Sequence, residues 1–320
     1  MTVKNRFLSF AAGLMAMAGT TTISAQEMIS PDHTYMFAQR DTCELYMDIY
    51  EPAKGSVTTF MGKEKPTVIF MFGGGFVGGS RDDEDYMKWF SQMTSNGYRI
   101  ISIDYRLGLK GTDKVGIAQV NALDKAIHMA VEDLFAATGY IIENAKSLGV
   151  DPKNLVVSGS SAGAISVMQA EYEIANKTSW AAELPAGFNY TGVMSFAGAV
   201  LSREGLLDFK TAPCPTLMLH GTADNLVPYK QIRFLHLGFF GGGKLVERFK
   251  KFGYNFNMYH FIDYGHEIAM SMETTMDLQT DFLQTNVMLG KKRIVEAWIS
   301  DPDVIKGGNI PQSRDELYGN

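Results

Sequence analysis

Cysteine is almost absent from this sequence of 320 residues, which contains only Cys43 and Cys214. Two cysteines cannot form a disulfide scaffold, so the fold has to depend on an ordinary hydrophobic core. Both cysteines lie in or beside predicted strands, and we therefore expect two buried free thiols.

Clusters of positive charge and long hydrophobic runs are also missing. The formal net charge is −6, and Lys and Arg are scattered along the chain. A nucleic-acid partner is therefore not expected, because binding would need a basic stripe that displaces counterions. Beyond the first 25 residues, no apolar run reaches the ~18 residues that a bilayer-spanning helix needs. We expect no membrane partner for the mature protein.

The first 25 residues are typical of a secretory signal peptide. Lys4 and Arg6 precede the apolar stretch FLSFAAGLMAMAG, and small residues follow as far as Ala25. These three zones in this order predict cleavage near Ala25 and export to a periplasm or out of the cell. A buried N-terminal helix is the alternative interpretation.

Apolar, β-rich segments alternate with helical patterns along the chain after the signal peptide. The predicted strands are 43–50, 66–72, 98–105, 154–159, 192–198, 215–221 and 256–262, and the predicted helices are about 82–96, 117–148, 162–175, 229–239 and 272–289. The middle strands are apolar on both faces, which is typical of a mostly parallel sheet with helices on both faces. The strand at 43–50 alternates and fits an antiparallel edge. We predict one α/β domain over 26–290 without a large cap domain, and a C-terminal extension over 291–320.

The segment FMFGGGFVGG (70–79) fits two different chemistries. Its glycines match the G-x-G-x-x-G pattern of dinucleotide-binding turns, and Asp104 could hold a ribose. However, residues 82–85 are all acidic and would repel a bound diphosphate. In acyl transfer, the backbone N–H groups of Gly74 and Gly75 could instead approach a developing oxyanion without side-chain obstruction.

The segment GSSAG (159–163) lies between a predicted strand and a predicted helix, which is the context of a nucleophile elbow. Side chains at Gly159 and Gly163 would collide with neighbouring backbone in so sharp a turn. Ser161 is therefore the candidate nucleophile. The N–H group of Ala162, at the helix start, is a third candidate donor to an oxyanion.

A serine nucleophile needs a base, and the base needs an orienting acid. Asp224 follows the strand at 215–221, and His266 follows the strand at 256–262. Both positions lie at the sheet edge where open α/β folds build their sites. Asp224 is the candidate acid and His266 the candidate base, with Asp263 and His220 as the alternatives. No histidine has metal-ligand spacing.

Together these segments resemble α/β-hydrolases of the esterase and lipase kind that carry an HGGG oxyanion motif, including bacterial acetyl esterases and feruloyl-esterase-like carboxylesterases. The resemblance extends from about residue 43 to about residue 289 and depends on LYMDIYEP, FGGGF, SIDYRL, DPKNLVVSGSSAGA, HGTADNLVP and DYGHE. It implies a Ser-His-Asp triad with an oxyanion hole at the residues named above, and no cofactor. The histidine of the family motif is Phe72 in this chain. That histidine usually helps to hold the loop, so the resemblance does not explain what holds it here.

We expect an exported serine esterase that acts on short acyl or aryl esters, either small molecules or esters attached to carbohydrate. A serine peptidase of the same fold, a catalytically silent binding protein of this fold and a dinucleotide oxidoreductase are the alternatives.

Overall fold

The computed structural model describes residues 29–40, 43–111, 120–205, 207–234, 236–300 and 316. The predicted signal peptide, residues 1–25, lies outside the described residues. The part of the predicted C-terminal extension that follows residue 300 also lies outside the described residues, except for residue 316.

The described strands belong to one large sheet and two small ones. In chain order they are β1 (His33–Arg40), β2 (Cys43–Tyr50), β3 (Thr59–Phe60), β4 (Lys63–Glu64), β5 (Thr67–Met71), β6 (Arg99–Ile103), β7 (Leu155–Ser160), β8 (Gly192–Phe196), β9 (Ala199–Ser202), β10 (Thr216–Gly221), β11 (Gln231–Phe234), β12 (Leu237–Gly241), β13 (Phe256–Phe261) and β14 (Ile294–Ile299). The large sheet has the strand order β1-β2-β6-β5-β7-β8-β10-β13-β14. β2 is antiparallel to both of its neighbours, and the strands from β6 to β14 run parallel.

Helices cover the central strands. They are α1 (Met87–Ser95), α2 (Val120–Glu143), α3 (Ala145–Leu148), α4 (Ala162–Asn176), α5 (Gly242–Phe252) and α6 (Met276–Phe282). Every residue of β5, β7, β8, β10 and β13 is buried, which requires cover on both faces of the sheet. The Trp89 indole of α1 donates a hydrogen bond to Gln279 of α6 at 2.7 Å, while α2 packs against α4. The predicted α/β fold with a mostly parallel sheet is confirmed.

One predicted helix is wrong. Residues 229–239 contain β11 and the start of β12, which pair antiparallel, and β12 continues the small sheet onto β9. The helix of this region is α5, in which Leu245, Val246 and Phe249 are buried at helical spacing. The glycines before α5 allow close packing, since a Cβ at Gly241 would lie 1.7 Å from the Pro228 carbonyl oxygen. The small sheet of β9, β11 and β12 is too short to form a separate cap domain.

The two ends of the large sheet also differ from the prediction. β2 is antiparallel, as expected, but it lies inside the sheet because β1 forms the edge. At the other end, β14 pairs with β13 along its whole length, from Phe256 opposite Ile294 to Phe261 opposite Ile299. The sheet therefore continues beyond the domain boundary predicted at residue 290. The residues of β14 alternate between exposed and half-buried, which is a weaker signal than the apolar runs of the central strands.

Both cysteines are free, as predicted, but only Cys214 is buried, whereas Cys43 is exposed at the start of β2. Among the described helices, none combines the length and the apolar character that crossing a bilayer requires.

Candidate active site

The predicted site residues follow strands of the large sheet at its carboxyl edge. The glycine loop follows β5, Ser161 follows β7, Asp224 follows β10 and His266 follows β13. Four non-glycine residues with positive φ lie at the same edge. Each of them follows the end of one strand, β5, β7, β8 or β13, within a few residues. They are Phe76 at 62°, Ser161 at 50°, Ala197 at 57° and Asp263 at 63°. Such strained residues cluster at functional sites, so the geometry indicates a site at this edge.

Close backbone contacts shape the turn that carries Ser161. A Cβ at Gly159 would lie 2.4 Å from the Gly163 carbonyl, and a Cβ at Gly163 would lie 2.1 Å from the Met71 carbonyl oxygen. Only glycine fits at either position. Ser161 has φ 50° and ψ −115°, and its N–H donates to the Phe196 carbonyl at 2.9 Å. This turn presents the serine hydroxyl above the sheet, as a nucleophile elbow does.

Ser161, His266 and Asp224 form a hydrogen-bonded line. Ser161 Oγ lies 2.8 Å from His266 Nε2, and His266 Nδ1 lies 2.8 Å from Asp224 Oδ2. The exposed fraction is 9% for Ser161, 3% for His266 and 5% for Asp224. Since the Asp224 carboxylate can only accept, Nδ1 carries the ring proton and Nε2 is left to accept the serine proton. The arrangement can activate the serine hydroxyl.

The Asp224 carboxylate is held as an anion. Its Oδ1 accepts the N–H groups of Leu226 at 2.9 Å and Val227 at 3.0 Å. Burial acts to raise the pKa of Asp224, but hydrogen bonds from His220 and His266 more than offset it, so the pKa lies well below its usual range. The acid therefore stays ionised at neutral pH.

The alternative acid and base have other roles. Asp263 is exposed, and its N–H donates to Thr222 Oγ1 at 2.9 Å. His220 Nδ1 accepts the Gly242 N–H at 3.2 Å, which leaves the proton on Nε2. Nε2 faces the Val227 carbonyl oxygen at 3.1 Å and Asp224 Oδ2 at 3.4 Å. His220 thus supports the acid.

The glycine loop lies directly against the nucleophile. A Cβ at Gly73 would be 3.3 Å from Ser161 Cβ, and a Cβ at Gly74 would be 2.2 Å from the Gly78 carbonyl oxygen. Gly74 and Gly75 have φ values of 113° and 62°, which favour glycine. The Gly74 carbonyl accepts the N–H groups of residues 77 and 78 at 3.0 and 3.1 Å, so the loop closes on itself. The loop therefore brings bare backbone beside Ser161.

Ala162 is the first residue of α4. The first N–H groups of a helix have no partner within the helix. Its N–H is therefore suited to receive negative charge next to Ser161.

The dinucleotide interpretation does not fit this loop. A turn of 3₁₀ helix occupies residues 84–86, and α1 begins only at Met87, whereas a dinucleotide turn opens directly into its helix. Asp104, the candidate ribose ligand, accepts the Tyr46 N–H at 3.0 Å and an Arg81 N–H at 2.8 Å. Arg81 also pairs with Asp48. Asp104 is thus part of an ion-pair network that holds the sheet edge.

The sequence pattern of nucleophile, acid and base does not identify two tyrosines of the site. The Tyr86 hydroxyl accepts the Gly73 N–H at 2.9 Å, and the Tyr105 hydroxyl donates to the Phe72 carbonyl oxygen at 2.9 Å. Tyr105 belongs to the segment SIDYRL, one of the segments on which the resemblance depends. In the part of the chain that the structure describes, no group of His, Cys, Asp and Glu side chains is arranged to hold a metal ion.

Comparisons with known proteins find similarity to esterases and lipases. A family model described as BD-FAE matches residues 47–200, which include the glycine loop and the serine turn but not Asp224 or His266. Gut esterase 1 of Caenorhabditis briggsae is 33% identical over 107 residues, which cover 33% of this chain and 18% of that protein. Secreted lipase 1 of Botryotinia fuckeliana (strain B05.10) is 26% identical over 172 residues, which cover 53% of this chain and 27% of that protein. The chain therefore spans less than a third of the length of either relative.

A solved structure extends the likeness over most of the chain. A thermophilic esterase from the planctomycete Thermogutta terrifontis, with propionate bound, superposes with a TM-score of 0.56 at 22% identity, covering 81% of this chain and 95% of that one. At this identity the likeness is one of fold.

Proposed function

We propose that this chain, whose fold is that of the α/β-hydrolases, is a serine esterase that hydrolyses carboxylic esters through an acyl-enzyme on Ser161. The observation that carries the proposal is the hydrogen-bonded line from Ser161 Oγ through the His266 ring to Asp224, with 2.8 Å at each step. The esterases and lipases among its relatives support the same reaction class.

In the first half of the reaction, Ser161 Oγ attacks the ester carbonyl carbon while His266 Nε2 takes the hydroxyl proton. The imidazolium that forms is stabilised by the buried Asp224 carboxylate, which also fixes the ring orientation. The tetrahedral oxygen becomes negative and is stabilised by the N–H groups of Gly74, Gly75 and Ala162, because backbone donors aimed at this charge lower the barrier.

In the second half, His266 returns its proton to the leaving alkoxide, so the alcohol departs and an acyl ester remains on Ser161. A water molecule then attacks the acyl carbon while His266 Nε2 takes one of its protons. Collapse of the second tetrahedral intermediate releases the acid and returns the proton to Ser161. No step requires a cofactor.

For the substrate we propose short acyl or aryl esters, free or attached to a carbohydrate. The propionate in the T. terrifontis esterase is a short acid and supports a short acyl group. The absence of a large cap over the described residues leaves room for a bulky alcohol. A series of aryl esters of increasing acyl length, from acetate upward, tests the acyl part, and release of acid from acylated oligosaccharides tests the alcohol part.

The decisive experiment is hydrolysis of 4-nitrophenyl acetate by the wild type, Ser161→Ala and a matched control, Ser158→Ala. Ser158 is buried in β7 and outside the triad. We expect Ser161→Ala to lose at least about 10⁴-fold in kcat, as removal of a triad nucleophile does in serine hydrolases, while Ser158→Ala keeps its activity. Retention of activity by Ser161→Ala would overturn the proposal, and cleavage of peptide amides without esters would favour a peptidase.

We also propose that the protein is exported, on the strength of the N-terminal sequence pattern. Expression of the full chain in a bacterial host should yield a mature form beginning near Gln26 outside the cytoplasm. Mass spectrometry of the intact exported protein measures this, and a chain that keeps Met1 in the cytoplasm would contradict it.

A further inference from the structure

The glycine loop is held in place by two tyrosine hydroxyl groups. We propose that Tyr86 and Tyr105 are positioning residues for the oxyanion donors at Gly74 and Gly75. Position 72 carries a phenyl ring, which cannot form the hydrogen bond that would fix the loop. The proposal rests on the esterase function proposed above, because an oxyanion hole matters only if a tetrahedral intermediate forms.

Tyr86 lies where three catalytic segments meet. Its hydroxyl oxygen accepts the Gly73 N–H at 2.9 Å, and a Cβ at Gly73 would lie 3.1 Å from this oxygen and 3.3 Å from Ser160 Oγ. Ser160 Oγ donates to the Ala269 carbonyl oxygen at 2.8 Å. These contacts bring the glycine loop together with the nucleophile turn and the segment that follows His266.

Tyr105 holds the residue before the loop. Its hydroxyl donates to the Phe72 carbonyl oxygen at 2.9 Å and lies 3.4 Å from that of Gly73. The two aromatic rings of Tyr105 and Phe72 stack, with centroids 4.3 Å apart and an interplanar angle of 25°. On another side, Phe72 is covered by the loop itself, since a Cβ at Gly79 would lie 2.7 Å from the ring.

Both hydroxyls are suited to a fixed structural role. Tyr86 is 5% exposed and Tyr105 is 3% exposed. Burial raises the pKa of Tyr86 to about 12 and raises that of Tyr105 well above its usual value, so both keep their protons at any working pH. Loss of a hydrogen bond at a buried site is costly, because the remaining partner cannot form a hydrogen bond to water instead.

The loop needs such anchors because of its own composition. Gly74 and Gly75 have φ values that glycine favours but does not fix, and glycine loses more conformational freedom on ordering than any other residue. Oxyanion donors act only when they are already aimed at the charge that develops. Anchors at residues 72 and 73, directly before the donors, provide this order.

The test compares Tyr86→Phe and Tyr105→Phe with the wild type in 4-nitrophenyl acetate hydrolysis, with the concentration of active sites measured by titration. Each change keeps the ring and removes one hydroxyl. We expect kcat to fall about 10- to 100-fold in each variant, because a small displacement of oxyanion donors is costly to the transition state. KM should change less than about threefold.

A second readout separates positioning from general stability. An aryl trifluoromethyl ketone forms a tetrahedral adduct with the serine, and its affinity should fall by the same factor as kcat/KM in each variant.

Tyr190→Phe is the matched control. Tyr190 is 2% exposed, and its hydroxyl shares a hydrogen bond of 2.8 Å with Thr138 Oγ1. This variant should lose stability but keep kcat and ketone affinity. The inference would be overturned if Tyr86→Phe and Tyr105→Phe left kcat unchanged, or lowered kcat without lowering the affinity for the ketone. A wild type without esterase activity would instead refute the proposed function.

Discussion

His220 Nε2 lies 3.4 Å from Asp224 Oδ2, the same oxygen that lies 2.8 Å from His266 Nδ1. The Gly242 N–H bonded to Nδ1 keeps the His220 proton on Nε2, so this second imidazole presents a donor to the acid and to the Val227 carbonyl. His220 therefore helps to hold the Asp224 carboxylate as an anion, together with His266 and the N–H groups of residues 226 and 227.

This relationship predicts different results for two substitutions of His220. Asn can replace the Nδ1 acceptor but not the Nε2 donor, whereas Gln can replace the donor but not the acceptor. We expect His220→Asn to lower kcat about 10-fold, which corresponds to about one hydrogen bond to a charged group. His220→Gln should lower kcat less. Steady-state kinetics on an aryl ester measures both.

The neighbouring strand offers a control for this prediction. His260 pairs with His220 in the register of β10 and β13, is equally buried, and bonds to Tyr229 and Glu296 instead of the triad. His260→Asn should cost stability without lowering kcat. Equal losses of kcat at the two positions would show that His220 has no special link to Asp224.

Two glycines should respond in opposite ways to alanine. A Cβ at Gly163 would lie 2.1 Å from the Met71 carbonyl oxygen, whereas a Cβ at Gly139, within α2, would meet nothing within 4 Å. Gly163→Ala should therefore cost at least about 3 kcal/mol of unfolding free energy through steric overlap. Gly139→Ala should gain about 0.5–1 kcal/mol, because alanine is the better helix former. Denaturant unfolding measures both, and equal effects would contradict the packing described for the serine turn.

Strands buried on both faces were the most predictable part of the fold. Their apolar runs have no helical period, and the parallel topology follows from the alternation with helices. The same topology explains why residues as distant in sequence as Ser161, Asp224 and His266 meet, since each follows a strand of one sheet and carboxyl ends share an edge.

Other features depend on contacts that no local pattern records. Residues 231–234 become a strand because they pair with β12 and so extend the small sheet on β9, and their sequence alone is compatible with a helix. The bond from Tyr86 to Gly73 joins a side chain to a backbone group 13 residues away. No periodicity marks such a bond, so the anchors of the glycine loop could be found only in three dimensions.

Removal of β14 should damage the domain. Six residue pairs join it to β13, and the Trp298 ring stacks on the buried His260 ring with centroids 4.1 Å apart. A chain that ends after Gly290 would turn β13 into an open edge, which favours aggregation. We expect it to unfold at a lower temperature and to be less soluble than a chain that ends after Ser300. Thermal unfolding and sedimentation of the two chains test this, and equal stability would mean that the domain is complete at residue 290.

Glu171 should make stability depend on pH. Burial raises its pKa from 4.5 to about 7, against hydrogen bonds from Cys214 and Asn189. Because the folded-state pKa lies above the unfolded-state value, this contribution to stability is complete below about pH 4.5 and is lost as pH rises through 7, by about 3 kcal/mol in all. Glu171→Gln keeps the acceptor for the Cys214 N–H and cannot ionise. In denaturant unfolding at pH 5.5, 7 and 8.5, the free energy of unfolding of Glu171→Gln relative to the wild type should therefore increase as pH rises. The free energy of unfolding of the exposed Glu143→Gln should change with pH as that of the wild type does. A Glu171→Gln difference that stays constant with pH would mean that Glu171 remains ionised in the fold.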